Sequence, residues 1–263
     1  MANAADILAF VEQLAPAYMK MDWDNVGLLC GRRSQEVDTV LVALDPFLDT
    51  AKEAAEVGAQ LLLTHHPLIF RPVKAITDDT PVGQTILYLI EHGIAAINAH
   101  TNLDCAPGGV NDCLAEKLGL SDVQVIDPAG TDGDGRPWGL LRCGVVEEQE
   151  LSDFLPRVKE ALGCDGLRYV SGSKKVHRVA VGGGACAGEL EQVIAAGCDT
   201  FVTADSKYNQ LWDAYDLGVN LIDAGHFHTE QPVCAMLAEK LQAAFPEIRV
   251  VLSKNHKDCA EFF

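Results

Sequence analysis

The chain has 263 residues, 48% of them hydrophobic and 22% charged, enough for a sizeable buried core in one large α/β domain or two smaller lobes. Its formal net charge of -18 repels nucleic-acid phosphates over most of the surface, so nucleic acid is not an expected partner. No apolar run approaches membrane-spanning length, and the start lacks the basic and apolar regions of a secretory leader. Nine Cys, an odd number without a C-x-x-C pair, read as reduced thiols rather than a disulfide framework. A cytoplasmic location is the expectation that follows.

Strands and helices alternate along the chain. Thr39–Leu44 reads as a buried strand ending at Asp45, and Gln60–Leu63 as another ending at Thr64-His65-His66. Ile94–Ile97 is a third, running into Asn98-Ala99-His100. Helical patterns span about Leu48 to Val57 and Val82 to His92, closed by Gly58 and Gly93, residues suited to a left-handed cap. Thr131–Pro137 is a turn-rich break. A strand near Gly139–Val145, a helix near Glu150–Leu162 and a strand near Leu167–Val170 follow.

The opening script then recurs. Arg178–Val181 leads into Gly182-Gly183-Gly184, a helix covers about Gly188 to Ala196, and Thr200–Val202 leads into Thr203-Ala204-Asp205. A further helix closes at Gly218, and Val219–Ile222 leads into Asp223. Sliding the first half so that Thr64 falls on Thr203 also sets Ala55-Glu56-Val57-Gly58 on Ile194-Ala195-Ala196-Gly197 and His66 on Asp205. Two similar, interlocked α/β lobes with mostly parallel sheets are therefore expected. The boundary is set near residue 125, with 1–125 carrying His65, His66 and Asp104 and 126–263 carrying His226 and Glu230.

The polar residues of interest fall at the carboxyl ends of the expected strands, the edge where parallel α/β sheets bind ligands. His65 and His66 lie there together, and His100–Asp104 adds a carboxylate. In Asp223–Glu230, Thr229 is a plausible N-cap for a helix to about Ala244, with Glu230 in its first turn and His226 in the preceding loop. Plainer roles exist for each residue: a helix-dipole partner for Glu230, loop positions for the histidines, a turn for Asp104. Gathered at one edge, the five suit transition metals better than calcium: zinc, iron, manganese, cobalt or nickel. Five ligands exceed what one catalytic ion takes from protein, and they suit two ions roughly 3.5–4 Å apart. Asp45 and Asp205 close strands at the same edge and are candidate general bases. Their plainer role is capping a helix or hydrogen-bonding a ligand histidine. His100 and His228 are expected behind the ligands or facing substrate, while His92, His177 and His256 are bystanders. Gly182-Gly183-Gly184 reads as a tight turn more readily than as a phosphate cradle.

Asp24-Asn25-Val26-Gly27-Leu28, Thr64-His65-His66-Pro67, His100-Thr101-Asn102-Leu103-Asp104, Pro107-Gly108-Gly109-Val110-Asn111 and Gly225-His226 with Glu230 together resemble the GTP cyclohydrolase I type 2 family, also called the NGG-one-interacting-factor-three-like family. The resemblance spans nearly the whole chain. It implies a dinuclear centre in a cleft between two lobes, with His65, His66, Asp104, His226 and Glu230 as ligands and Glu230 bridging the ions. It also implies toroidal homohexamers and a nucleotide substrate, with hydrolytic opening of the guanine ring of GTP. A metal-dependent phosphoesterase and a non-catalytic metal-binding or interaction protein are the alternatives. One departure stands out: many members carry a His four residues after the Asp of Thr-Gly-Asp, whereas this chain reads Thr203-Ala204-Asp205 and then Asn209.

Overall fold

The computed structural model describes residues 2–262. In chain order the sheet strands are β1 (Gly27–Cys30), β2 (Thr39–Ala43), β3 (Leu61–Thr64), β4 (Ala95–Asn98), β5 (Ser121–Ile126), β6 (Leu141–Gln149), β7 (Arg168–Val170), β8 (Val176–Val181), β9 (Thr200–Thr203), β10 (Asn220–Asp223) and β11 (Arg249–Leu252). The helices are α1 (Ala4–Leu14), α2 (Leu48–Glu56), α3 (Pro81–Glu91), α4 (Thr101–Cys105), α5 (Val110–Lys117), α6 (Leu151–Leu162), α7 (Leu190–Ala195), α8 (Tyr208–Asp216), α9 (His226–Glu230) and α10 (Pro232–Ala244). Among the described residues no helix is long and apolar enough to cross a membrane.

The chain forms two compact units, residues 1–103 with 233–257, and residues 104–232 with 258–263. The break therefore lies some way before the boundary expected near residue 125. The cause is packing: Leu114 and Ala115 of α5, with Leu118 just after it, share a core with Phe154, Val158 and Val179. The end of the chain returns to the first unit because β11 pairs in parallel with β2, Arg249 opposite Thr39.

In the first unit the strand order is β11-β2-β3-β4-β1. β11, β2, β3 and β4 run parallel, and β1 closes the edge antiparallel to β4. Every residue of β2, β3 and β4 is buried, which is why their sequences are continuous apolar runs rather than alternating ones. Ala51 and Ala54 of α2 and Ile86 and Leu89 of α3 pack with Leu41, Leu62 and Ala96 of the sheet. Thr80 opens α3, its hydroxyl accepting from Gly83 N–H at 3.1 Å, with Pro81 at the first helical position. α2 and α3 end as expected at Gly58 and Gly93, both left-handed.

The second unit is mixed rather than mostly parallel. Its order is β7-β10-β9-β8-β6-β5, with only β8, β9 and β10 parallel. The long strand β6 runs antiparallel to both β8 and β5. Alternate residues face opposite cores: Val179, Val202 and Ile222 pack with Phe154 of α6, while Ala180, Phe201 and Leu221 pack with Leu190 and Val193 of α7. Both units share one topology. Three consecutive parallel strands lie side by side, and the strand that precedes them pairs antiparallel with the third: β1 with β4, and β7 with β10. The alignment of Thr64 with Thr203 superposes β3 on β9 residue for residue.

The second unit buries one cation. Arg142 of β6 donates to the carbonyls of Gly139 and Ala106 at 2.7 and 3.0 Å, and to Asp112 at 3.0 Å through both Nε and Nη2. It also reaches the Cys105 carbonyl at 3.3 Å, so this guanidinium anchors the backbone just after Asp104. Removing the carboxylate strands a buried charge. Asp112→Ala is expected to cost about 3–5 kcal/mol in urea denaturation. A loss below about 1 kcal/mol would show that the carbonyls alone suffice.

Candidate metal centre

In the first unit the chain beyond β3 stays tied to the neighbouring strand. His65 N–H and His66 N–H donate to the carbonyls of Ala43 and Leu44, at 3.4 and 2.8 Å. Thr64 hydroxyl donates to the His66 carbonyl at 2.8 Å, which fixes the turn. His65 Nδ1 lies 2.8 Å from the Ala99 carbonyl, and a carbonyl only accepts, so Nδ1 carries the proton and Nε2 the lone pair. His66 Nδ1 lies 2.6 Å from Asp45 Oδ1, and His100 Nδ1 lies 2.8 Å from Asp24 Oδ1. Potential ligand atoms of His65, His66 and His100 are all within 4.8 Å of one another. His100 thus lies beside His65 and His66, close enough to face the same space.

Two further groups hold this arrangement. Asp24 also accepts from Thr101 N–H at 3.0 Å and from its hydroxyl at 2.5 Å. Burial alone would raise its pKa, but the bonds from His100 and Thr101 overcome that and hold it well below the usual carboxylate range. His256 lies close behind Asp45. Its Nε2 accepts from Leu44 N–H at 2.9 Å, and burial holds its pKa below the ordinary value, as a neutral acceptor requires.

In the second unit α9 sets His226 and Glu230 one turn apart, Nε2 to Oε2 3.0 Å. Its N-cap is Gly225, not Thr229 as the sequence suggested, and α10 starts separately at Pro232. Thr229 instead lies inside α9, where its hydroxyl accepts from Gly184 N–H at 3.0 Å. His226 Nδ1 lies 2.8 Å from Asp205 Oδ2. Asp205 adopts φ 50, a left-handed conformation that Asp tolerates better than most residues.

The glycine run is a seat for Glu230. A Cβ on Gly184 would fall 2.2 Å from Glu230 Oε1 and 3.2 Å from His226 Cε1, and one on Gly183 would fall 3.2 Å from Glu230 Cγ. Fully buried Asn111 joins this seat to Asp104. It accepts from Gly183 N–H at 2.7 Å and donates to the Asp104 carbonyl at 3.2 Å. Asp104 and Glu230 both act on one buried thiol, Cys186. Its pKa is raised first by burial and then by those two negative charges.

The expected site residues thus gather within each unit, His65 and His66 in the first, Asp104, His226 and Glu230 in the second. Asp45 and Asp205 each hydrogen-bond a histidine of the candidate centre. His228 is turned to the Leu162 carbonyl at 3.3 Å and the Asp258 carboxylate at 3.7 Å. His92 and His177 bond backbone carbonyls, and Asn209 is exposed. Asn111, Gly184 and Thr229 took no site role in the sequence reading. There Asn111 stood only as the end of the Pro107–Asn111 motif, Gly184 as part of a tight turn and Thr229 as a helix cap.

The donor set suits divalent transition metals. His65, His66 and His226 each have Nδ1 against an oxygen, the arrangement that directs Nε2 to a metal. With Nδ1–H given to Asp205, His226 Nε2 faces a carboxylate oxygen at 3.0 Å, two acceptors that repel unless a proton or a cation lies between them.

The family model described as Duf34/NIF3 (NGG1p interacting factor 3) matches residues 2–259. A Clostridium perfringens protein named GTP cyclohydrolase 1 type 2 homolog is 35% identical over 260 residues, 98% of each chain. A Streptomyces coelicolor protein of the same name is 36% identical, covering 98% of this chain and 93% of its own. Among solved structures, a Bacillus cereus protein related to NIF3 superposes with TM-score 0.93 at 27% identity, covering 100% of this chain and 99% of that one. A Staphylococcus aureus protein follows at 0.92 and 30%, with the same coverage.

The glycine seat can be tested directly. Gly184→Ala forces both a left-handed alanine and a clash with Glu230, so a stability loss of about 1–3 kcal/mol and weakened zinc binding by calorimetry are expected. Gly133→Ala, where a Cβ meets nothing within 4 Å, is the control. Wild-type zinc affinity in Gly184→Ala would show that the seat does not position Glu230.

Proposed function

Since this chain belongs to the Duf34/NIF3 family, we propose that it is a divalent-metal-dependent hydrolase acting on a nucleotide, with GTP ring opening as the first reaction to test. In this reading His65, His66, Asp104, His226 and Glu230 hold two ions, drawn from zinc, iron, manganese, cobalt or nickel. The observation that carries it is the orientation of the histidines: each of the three has Nδ1 tied to an oxygen, which leaves Nε2 as the donor. When bound, the ions supply the positive charge that acidifies a coordinated water and polarises the substrate. That charge also offsets the repulsion between an acidic chain and an anionic nucleotide.

The protein's own residues divide the remaining work. Asp45 and Asp205 hold His66 and His226 in the tautomer needed. Asp205 is the more open of the two, with 55% of its side chain exposed against 18% for Asp45, and it is assigned the additional role of taking the proton from water. Asn111 and the Gly183-Gly184 backbone keep Glu230 in place. The assembly proposed is a homohexamer, as the family resemblance implies.

Elemental analysis of chelator-free protein is expected to give two transition-metal ions per chain. His66→Ala and Glu230→Ala should each lose at least one ion while circular dichroism stays unchanged. A folded chain that takes up no zinc, manganese or iron would end this reading.

Asp205→Asn keeps an oxygen that can accept from His226 while removing the base. It is expected to retain both metals and slow turnover roughly 10²–10⁴-fold. Unchanged turnover would remove Asp205 from catalysis. Turnover of phosphoesters but not GTP would favour the phosphoesterase, and turnover of neither by fully metallated protein would favour a metal-binding module. Light scattering should report six times the 28.3 kDa chain mass, and a monomer at micromolar concentration would count against the assembly.

A further inference from the structure

The Asp24-Asn25 motif does more in the first unit than hold His100. Asn25 donates through Nδ2 to the Ile69 carbonyl at 2.6 Å, and its own carbonyl accepts from Asn98 Nδ2 at 3.1 Å. Asp24 accepts from Asn25 N–H at 2.7 Å as well as from His100 and Thr101. Residues 23 and 70 are therefore the immediate neighbours of one hydrogen-bonded clamp. Their side chains meet as an edge-on aromatic pair, ring centroids 5.7 Å apart at 74°. The His100 ring lies 6.2 Å from Trp23 and 6.1 Å from Phe70. His100 is in turn 5.2 Å from His65 and 5.6 Å from His66.

This pair is held in place yet left open, with Trp23 62% and Phe70 47% exposed. A core aromatic would be covered, and a chance surface aromatic would lack the buried polar network behind it. Large ring faces fixed beside a polar cluster match the way proteins take flat heteroaromatic groups, by stacking on the ring and hydrogen bonding at its edge. Stacking is also indifferent to the charge of an acidic surface.

We propose that Trp23 and Phe70 form a stacking subsite for the planar base of the substrate, with His100 Nε2 accepting a hydrogen bond from an N–H of that base. Asp24 makes this specific: by taking the Nδ1 proton it leaves Nε2 as the acceptor. The assignment rests on the nucleotide-hydrolase reading and names which part of the nucleotide the first unit recognises. Trp23 and Phe70 are specificity residues here, and neither touches the reacting water.

The test separates base from phosphates on the zinc-loaded full chain. Guanosine, which lacks phosphates, should bind saturably by calorimetry and quench tryptophan fluorescence. Trp23→Leu and Phe70→Leu should each weaken guanosine by about tenfold or more, the scale of a lost base stack. Both variants should keep wild-type metal content, wild-type tripolyphosphate affinity and wild-type size by light scattering. Equal guanosine affinity in wild type and both variants would overturn the subsite. So would a change of assembly size in the variants, which would assign the pair to a subunit contact. If the wild-type chain binds no guanosine yet turns over phosphoesters, the subsite fails while the hydrolase reading stands. If the chain takes up no metal, the hydrolase reading fails, and guanosine binding to the metal-free chain still decides the subsite.

Discussion

A neutral imidazole carries one proton, and the oxygen that receives it decides which nitrogen keeps the lone pair. The four histidines of the candidate centre are set by that rule, each through Nδ1. The acceptors are the Ala99 carbonyl for His65 and the carboxylates of Asp45, Asp24 and Asp205 for His66, His100 and His226. Without those oxygens the rings could rotate or exchange tautomers, and the donor set would exist only part of the time. Three of the oxygens lie just beyond strands: Asp45 after β2, Ala99 after β4 and Asp205 after β9. The sheets thus set ring chemistry as well as ring position.

The two units apply this device with an offset of one strand. In the first, the carboxylate follows the first of the three central parallel strands and its histidine follows the second. In the second, the carboxylate follows the second strand and its histidine follows the third. This explains why aligning the halves sets His66 on Asp205. The two positions occupy the same place after corresponding strands, but one supplies an imidazole and the other the carboxylate that orients an imidazole. A duplicated topology has kept its strand ends and divided their chemistry.

Much of this was legible in the sequence because fully buried parallel strands must be continuous apolar runs, and those runs end where polar residues begin. Thr64-His65-His66 and Thr203-Ala204-Asp205 could be placed at strand ends on that ground alone. The unit boundary was not legible. It depends on whether α5 packs forward and whether β11 returns to β2, and neither choice leaves a local mark. Thr229 was misread because Ser and Thr before an apolar helical pattern look like N-caps, and the short helix α9 with Pro232 behind it hides the true start at Gly225. The role of His256 was also hidden. Its contact with Leu44 joins residues far apart in the chain, and only parallel pairing of β11 brings them together.

Glu230 shows how a buried carboxylate can be placed without relying on its own rotamer. Its side chain is only 4% exposed, so water contributes little to its solvation. A charge that deep persists only beside compensating positive groups or donors. The surroundings that fix its place are mostly backbone: two glycines whose missing side chains make the room, held by Asn111 and Thr229 through their own N–H groups. Backbone held at both ends cannot yield as a side chain does, so the carboxylate has little freedom to withdraw from the imidazole 3.0 Å away. His226, by contrast, sits on an exposed carboxylate and retains room to adjust. Glu230 is therefore the more firmly placed member of the His226–Glu230 pair, and adjustment between the two falls to the imidazole.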